Sequence, residues 1–312
     1  MAEQEPFRSG PDAATLAAFL SLVVIAGGNA PAIRYISCET CELEPFWGAA
    51  MRFLLASAAF VVIARVLRAA LPRGRALLGA FLFGALQYGA GFGLVYWGLV
   101  QAHAGLGQVL IASVPLLTFV LALAHRQERF RWDGLTGALV AVGGIAVVFA
   151  SGTDTGVPLG SMLAIVGGAV CWAEALVVVK GFPPVHPAAM NAVAMGFGGV
   201  VLLATSAILG EAWVVPEAGK TLGAQAYLVV AGSVVVFWLY VIVVRNWTAS
   251  AASYQLVLVP LVTVPVSAWL QDERITVSFA IGSVLVLIGV YIGAWRPSKQ
   301  RERAETAAAI RT

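Results

Sequence analysis

Two ionisable side chains stand inside long apolar stretches: Arg52 in "AAMRFLLA" and Glu174 in "AVCWAEALVVV". A charge in hydrocarbon costs several kcal/mol unless paired or hydrated, which makes both candidate functional groups. Glu174 can bind a cationic or amino group, or a coupling proton. It can equally be a structural carboxylate bonded to a neighbouring helix. Arg52 can contact an anionic substrate, or pair with the loop acids Glu39, Glu42 and Glu44 or with carbonyls. Counted at 1.5 Å per residue, the two lie about 12 Å apart in depth, so direct pairing is not expected. Aromatic and amide residues accompany them: Tyr88, Tyr96, Trp97, Trp172, Trp238, Tyr240 and Tyr254, with Gln87, Gln108 and Gln255. Such a lining suits flat or amphipathic ligands, and cations through the ring faces.

This chemistry is binding rather than bond-making. No GxxxxGK[ST] phosphate loop, Ser-His-Asp set or zinc-protease motif occurs. Any transport would then be gradient-driven or passive, and no cofactor is expected. His103, His125 and His186 fall near the ends of apolar runs without ligand-like spacing. Cys38 and Cys41 form "CETC": a local disulfide, a weak metal site or incidental loop residues, with a spacing tight for an unstrained bridge. Cys171 reads as a packed apolar residue.

The elements that must position these groups follow from composition. The 312 residues are 60% hydrophobic and only 11% charged, with mean hydropathy +0.88. A soluble chain needs about 25% charged residues to cover its surface, so most of this exterior faces lipid. Barrel strands alternate over about ten residues; runs such as "GALVAVGGIAVVFASG" are apolar all round and about twenty long, as spanning helices require. The first run follows an acidic leader and reads as a span rather than a signal peptide. The net charge of +3 comes without a basic face interleaved with aromatics, so nucleic acid is not an expected partner.

Ten runs result, at 13–34, 45–67, 76–100, 104–124, 132–151, 159–179, 188–210, 223–244, 248–270 and 276–295. With a cytoplasmic N-terminus, fifteen of the nineteen Lys and Arg fall inside, and Arg34, Lys220 and Arg274 outside. That bias is the positive-inside pattern, with both termini cytoplasmic. Trp47, Trp132, Trp213, Trp247 and Trp295 read as interface anchors.

The segment 114–129 returns at 259–274 with Val, Pro, Leu, Thr, Glu and Arg identical, an offset of 145 residues. At that offset span one falls on span six and span five on span ten, and Asn29 falls on Glu174. Five spans is an odd number, so the second copy enters from the opposite side: an inverted repeat around a shared midplane site. Pro115 and Pro260 lie inside spans four and nine, where proline frees a carbonyl and permits a kink, in packing or at a site. Each Glu-Arg pair starts a helix, where its carboxylate complements the helix dipole.

"GGNAPAIR", "AAMRFLLA", "VPLLTFVLALAHRQERFRWDGLTGALVAVGGIAVV" and "AVCWAEALVVV" resemble the EamA-type transporters of the drug/metabolite transporter superfamily. The resemblance covers about 14–150 and 159–295. It implies ten helices as two inverted five-helix repeats and export of metabolites or amino acids. Where family members often carry a Trp before the span-one Gly, this chain reads "IAGGN".

The expected molecule is thus an all-α polytopic membrane protein. It has a tail at 1–12, repeats at 13–151 and 159–295, and a charged tail at 296–312. It sits in the inner (plasma) membrane and moves a small molecule by alternating access, with the proton as candidate coupling ion. A membrane enzyme or scaffold and a passive channel are the alternatives. The expected substrate contacts are Asn29, Arg52, Gln87, Tyr88, Trp97, Trp172, Glu174, Trp238, Tyr254 and Gln255, with no catalytic or metal-binding residue. Inverted threading predicts that cysteines introduced at positions 128 and 273 react with an impermeant maleimide from opposite sides of the membrane. Labelling of both from one side would refute it.

Overall fold

The computed structural model describes residues 13–127, 130, 132–154, 156–246, 255–271 and 275–292, and its regular elements are all helical. Eight helical segments are long and apolar enough to cross a membrane, and two shorter apolar helices follow at Leu258–Leu270 and Val277–Val290.

The first span, Ala13–Ile36, is two helices: α1 (Ala13–Gly27) and α2 (Asn29–Ile36), joined at Gly28. Next come α3 (Pro45–Val66) and a third span built from α4 (Arg75–Phe83), a wide π-helical turn Gly84–Gly91 and α5 (Phe92–Leu99). The fourth pairs α6 (Ala104–Ile111) with α7 (Val114–Ala124); then follow α8 (Trp132–Asp154), α9 (Leu159–Val179) and α10 (Pro187–Leu209). The eighth joins α11 (Gly219–Val229), a second wide turn Val230–Val235 and α12 (Val236–Asn246). Two further helices, α13 (Gln255–Gln271) and α14 (Val277–Val290), complete the described chain.

The helix starts follow local chemistry. Pro45 and Pro187 begin α3 and α10, where a missing N–H costs nothing. The Thr276 hydroxyl caps α14 by accepting from Phe279 N at 3.1 Å. Glu211 reaches across from the α10–α11 loop, its two oxygens accepting from Phe46 N at 3.1 Å and Trp47 N at 2.8 Å. A carboxylate there complements the free N–H groups and dipole of α3. Beside it Trp47 and Trp213 stack at 5.5 Å. Glu42 accepts from the Glu217 and Ala218 amides. Its carboxyl is held below the usual range, chiefly by the Glu217 N–H and next by Thr221.

One sequence expectation changes and an open one is decided. Pro115 does not kink a continuous span: the helix ends at Ile111, turns through Ala112–Ser113, and Pro115 sits in the first turn of α7. Pro260 lies inside α13 as expected, together with Pro265. Cys38 and Cys41 are joined in a disulfide at a Cα separation of 4.8 Å, because a turn closed by Cys41 N–H to Cys38 O at 2.9 Å brings them together. The Glu-Arg pairs at 128–129 and 273–274, with Trp247 and Trp295, lie outside the described residues.

Helices in lipid gain little from hydrophobicity against each other, so they pack through small residues that let backbones approach. The α8–α14 pair is built this way. A Cβ on Gly144 would lie 2.6 Å from Val286 N and 2.9 Å from Gly282 O, and one on Gly289 would lie 2.5 Å from Ala141 N and 2.6 Å from Gly137 O. On α3 and α10, the Ser57 hydroxyl donates to Ala192 O at 2.7 Å, and Leu54 fills the space over Gly199.

Adjacent glycines give a direct test. Gly143 has nothing within 4 Å of an added Cβ. Gly143→Ala should therefore leave the melting temperature unchanged or raise it, since Ala favours helix by up to about 1 kcal/mol. Gly144→Ala pushes against backbone and should destabilise by about 1–3 kcal/mol, measured by thermal unfolding of the purified protein.

Candidate functional site

Interrupted helices release backbone carbonyls, and in lipid each needs another donor. At the α1–α2 junction the Tyr227 hydroxyl donates to Ile25 O at 2.5 Å, and Thr263 donates to Gly27 O at 2.8 Å. Gly27 and Gly28 allow those approaches: an added Cβ would lie 2.6 Å from Val262 and 2.3 Å from the Tyr227 oxygen.

The second wide turn carries the centre of the site. Gly232 O accepts from Arg52 Nη2 at 3.1 Å and from Asn29 Nδ2 at 3.4 Å. Arg52 Nε donates to Ser233 Oγ at 3.1 Å and Nη1 to Tyr96 Oη at 3.4 Å. The guanidinium lies 5.1 Å from the Phe53 ring centre and 5.3 Å from that of Phe92, a cation–π arrangement. Arg52 is only 1% exposed. Of the partners expected for it, the carbonyl is found and the loop acids are not. Glu39 instead accepts from Gln101 at 2.5 Å, and Glu42 holds the α10–α11 loop. Among the described residues no carboxylate pairs with this guanidinium. The Oδ1 of Asn29 is also buried without a hydrogen-bond partner.

The first wide turn is satisfied at the corresponding position. Gln87 stands 145 residues before Gly232, and its carbonyl accepts from Trp172 Nε1 at 2.8 Å. Trp172 packs on Phe92 at 4.6 Å, and Phe92 stacks on Tyr88 at 6.1 Å. The Tyr88 hydroxyl donates to Asn191 Oδ1 at 2.5 Å. The structure thus gathers Asn29, Arg52, Gln87, Tyr88 and Trp172 about the two wide turns. Trp97 and Trp238 stand 46% and 50% exposed, outside that group. Gln255 is half-buried, and Tyr254 lies outside the described residues.

Glu174 belongs to a separate group. Its Oε1 lies 3.1 Å from His125 Nε2, with the side chains 25% and 43% exposed. His125 Nδ1 faces Leu121 O at 3.0 Å. A carbonyl only accepts, so this contact is a hydrogen bond when Nδ1 is the donor, which leaves Nε2 facing the Glu174 carboxyl. Sequence spacing hid His125 because its partner is on another helix.

Sequence reasoning also missed Ser233, Asn191 and Tyr227, whose roles depend on the wide turns and on the break at Gly28. A cleft of about 380 Å³ lies between Arg34, Glu39, Thr40 and Gln101. There Arg34 donates to Leu99 O at 3.3 Å and to Ala102 O.

A bundle of apolar helices interrupted at buried polar groups defines a polytopic membrane protein of the transporter class. The chain matches the EamA-like transporter family over residues 13–150 and again over 159–294, and it belongs to that family. It is 28% identical over 297 residues to an uncharacterised inner membrane transporter, YedA, of Escherichia coli K12, covering 90% of this chain and 92% of that protein. It is 25% identical over 273 residues to an uncharacterised transporter, YoaV, of Bacillus subtilis, covering 83% and 90%. A probable terminal-alkyne amino-acid exporter of Streptantibioticus cattleyicolor is 36% identical over 101 residues, 32% of this chain and 34% of that one. A crystal structure with 18% identity shares the fold at a TM-score of 0.62 over 90% of this chain and 96% of that one.

The His125–Glu174 contact is open to a double-mutant cycle with His125→Ala and Glu174→Gln. A pair this exposed should show a coupling energy of about 0.5–1 kcal/mol in thermal unfolding, and additivity would mean no interaction.

Proposed function

We propose that this chain is a secondary carrier of the inner membrane that moves a small metabolite, amino acid or drug-like molecule outward by alternating access. Its ten helices form two five-helix repeats, 13–151 and 159–295, threaded in opposite senses, with the tails 1–12 and 296–312 cytoplasmic. The substrate occupies the space between the repeats, bounded by the two wide turns.

One observation carries this reading: the wide turns recur at the repeat offset. The wide turns at Gly84–Gly91 and Val230–Val235 lie one offset apart, to within a residue at each end. The packing supports it as well. Gly144 abuts Gly282 O while Gly289 abuts Gly137 O, so residues 145 apart exchange places across the α8–α14 contact. Likewise α1 packs on α12 and α13, as α9 packs on α5 and α7. Two halves related in this way can rock against each other and exchange which face is open. The outward direction draws on the relative described as an exporter. Among the described residues, the His125–Glu174 pair is suited to carry a coupling proton.

Proteoliposomes preloaded with amino acids, amines, nucleosides or sugars test the reading. A carrier should show saturable uptake of a labelled substrate, accelerated several-fold by the same unlabelled substrate inside. Flux that neither saturates nor responds to internal substrate would assign a channel instead.

A further inference from the structure

Among the described residues the buried charge at Arg52 has no counter-charge. A guanidinium offers five N–H donors in a planar fork, and here three are engaged, by Ser233, Tyr96 and Gly232. Two neutral oxygens, a carbonyl and ring faces reduce the cost of burial without cancelling the charge. Beside it the Asn29 Oδ1 is an acceptor with nothing to accept. Both groups converge on one spot: a Cβ built on Gly232 would lie 2.1 Å from Asn29 Oδ1 and 3.4 Å from Arg52 Nη2. A cation with spare donors and an orphan acceptor within a few ångströms are complementary to a ligand bearing a carboxylate next to an N–H or O–H donor.

We propose that Arg52 and Asn29 recognise the carboxylate and the adjacent ammonium or hydroxyl of a small amino or hydroxy acid. The inference rests on the carrier reading and names the substrate class of that same site. The carboxylate supplies the charge that Arg52 lacks, the ammonium or hydroxyl donates to Asn29 Oδ1, and Tyr96 and Ser233 hold the fork in plane. Phe53 and Phe92 exclude water from the ion pair, which strengthens it. Glycine at 232 lets Asn29 approach the turn this closely, since any side chain there would strike Asn29 Oδ1.

The test is thermal unfolding of the purified full-length protein with three probe sets: the protein amino acids together with lactate and malate, the amides of the same amino acids, and their decarboxylated amines. At least one carboxylate should raise the melting temperature by about 2 °C or more at saturating concentration, and its amide and amine should not. Arg52→Gln risks misfolding, so Asn29→Asp carries the second arm. It places a carboxylate beside the guanidinium, and it should raise the melting temperature without ligand while abolishing the response to the carboxylate.

Stabilisation by amides or amines equal to that by acids, no response to any carboxylate, or a carboxylate response that survives Asn29→Asp each overturns the proposal. Saturable counterflow of an amine or sugar that Asn29→Asp leaves intact would also overturn it, with the carrier reading still standing. Carboxylate-specific stabilisation without counterflow would do the reverse.

Discussion

A carbonyl released from its helix inside hydrocarbon has no water to turn to, and leaving it bare costs several kcal/mol. The break at Gly28 and the two wide turns draw donors from other spans under that constraint. The break at Gly28 persists because Tyr227 and Thr263 donate to Ile25 and Gly27. The wide turns persist because Trp172 donates to Gln87 O, while Arg52 and Asn29 donate to Gly232 O. Each donor comes from a different span, so the irregular backbone also ties the helices together. A helix that must be interrupted to expose a binding atom is thereby made dependent on its neighbours, and a shift in one neighbour changes what the interruption presents.

The electrostatics follow from the same arrangement. Arg52 serves as a hydrogen-bond donor to freed backbone, yet a lysine or an amide would supply donors as well. What a guanidinium adds is a delocalised charge that tolerates aromatic faces and keeps donors in a fixed fork. With Phe53 and Phe92 on it and no carboxylate beside it among the described residues, the site is a positive point among aromatic faces. Glu174, the other ionisable group in an apolar span, faces the His125 imidazole at 3.1 Å. One group thus faces a side chain able to carry the opposite charge, and the other, among the described residues, faces no carboxylate.

Much of this was legible in the sequence, because hydropathy reports lipid contact and the Val-Pro-Leu-x-Thr recurrence reports duplication. Arg52 and Glu174 stood out for the same reason: a charge in an apolar run is rare enough to carry meaning alone. The wide turns were not legible. "GALQYGAG" and "VAGSVV" are glycine-containing apolar stretches like others in this chain, and what sets them apart is a carbonyl that accepts from another helix, a contact the sequence cannot show. His125 was passed over because spacing along one chain cannot show a contact to a residue 49 positions away on a different helix. The Cys38–Cys41 bridge depends on a turn whose formation two cysteines in a loop do not announce. Trp97 and Trp238 were grouped with the site because residue type says what a ring can do and not which way it faces.

Residues one offset apart share a backbone role while their chemistry diverges. Gln87 and Gly232 both present a carbonyl to a neighbouring helix, but an indole takes the first, and a guanidinium and an amide take the second. Position 29 carries asparagine where 174 carries glutamate, and position 52 carries arginine where 197 carries phenylalanine. Exchange between two conformations needs only the backbone to be alike in the two halves, since rocking is governed by helix packing. Recognition needs the opposite, because a ligand with one charged end can satisfy one polar cluster and not two. In the proposed carrier, near-equivalent packing with unequal side chains therefore lets the bundle open to either face while its charged contact stays in one half. The motion is symmetric and the binding is not.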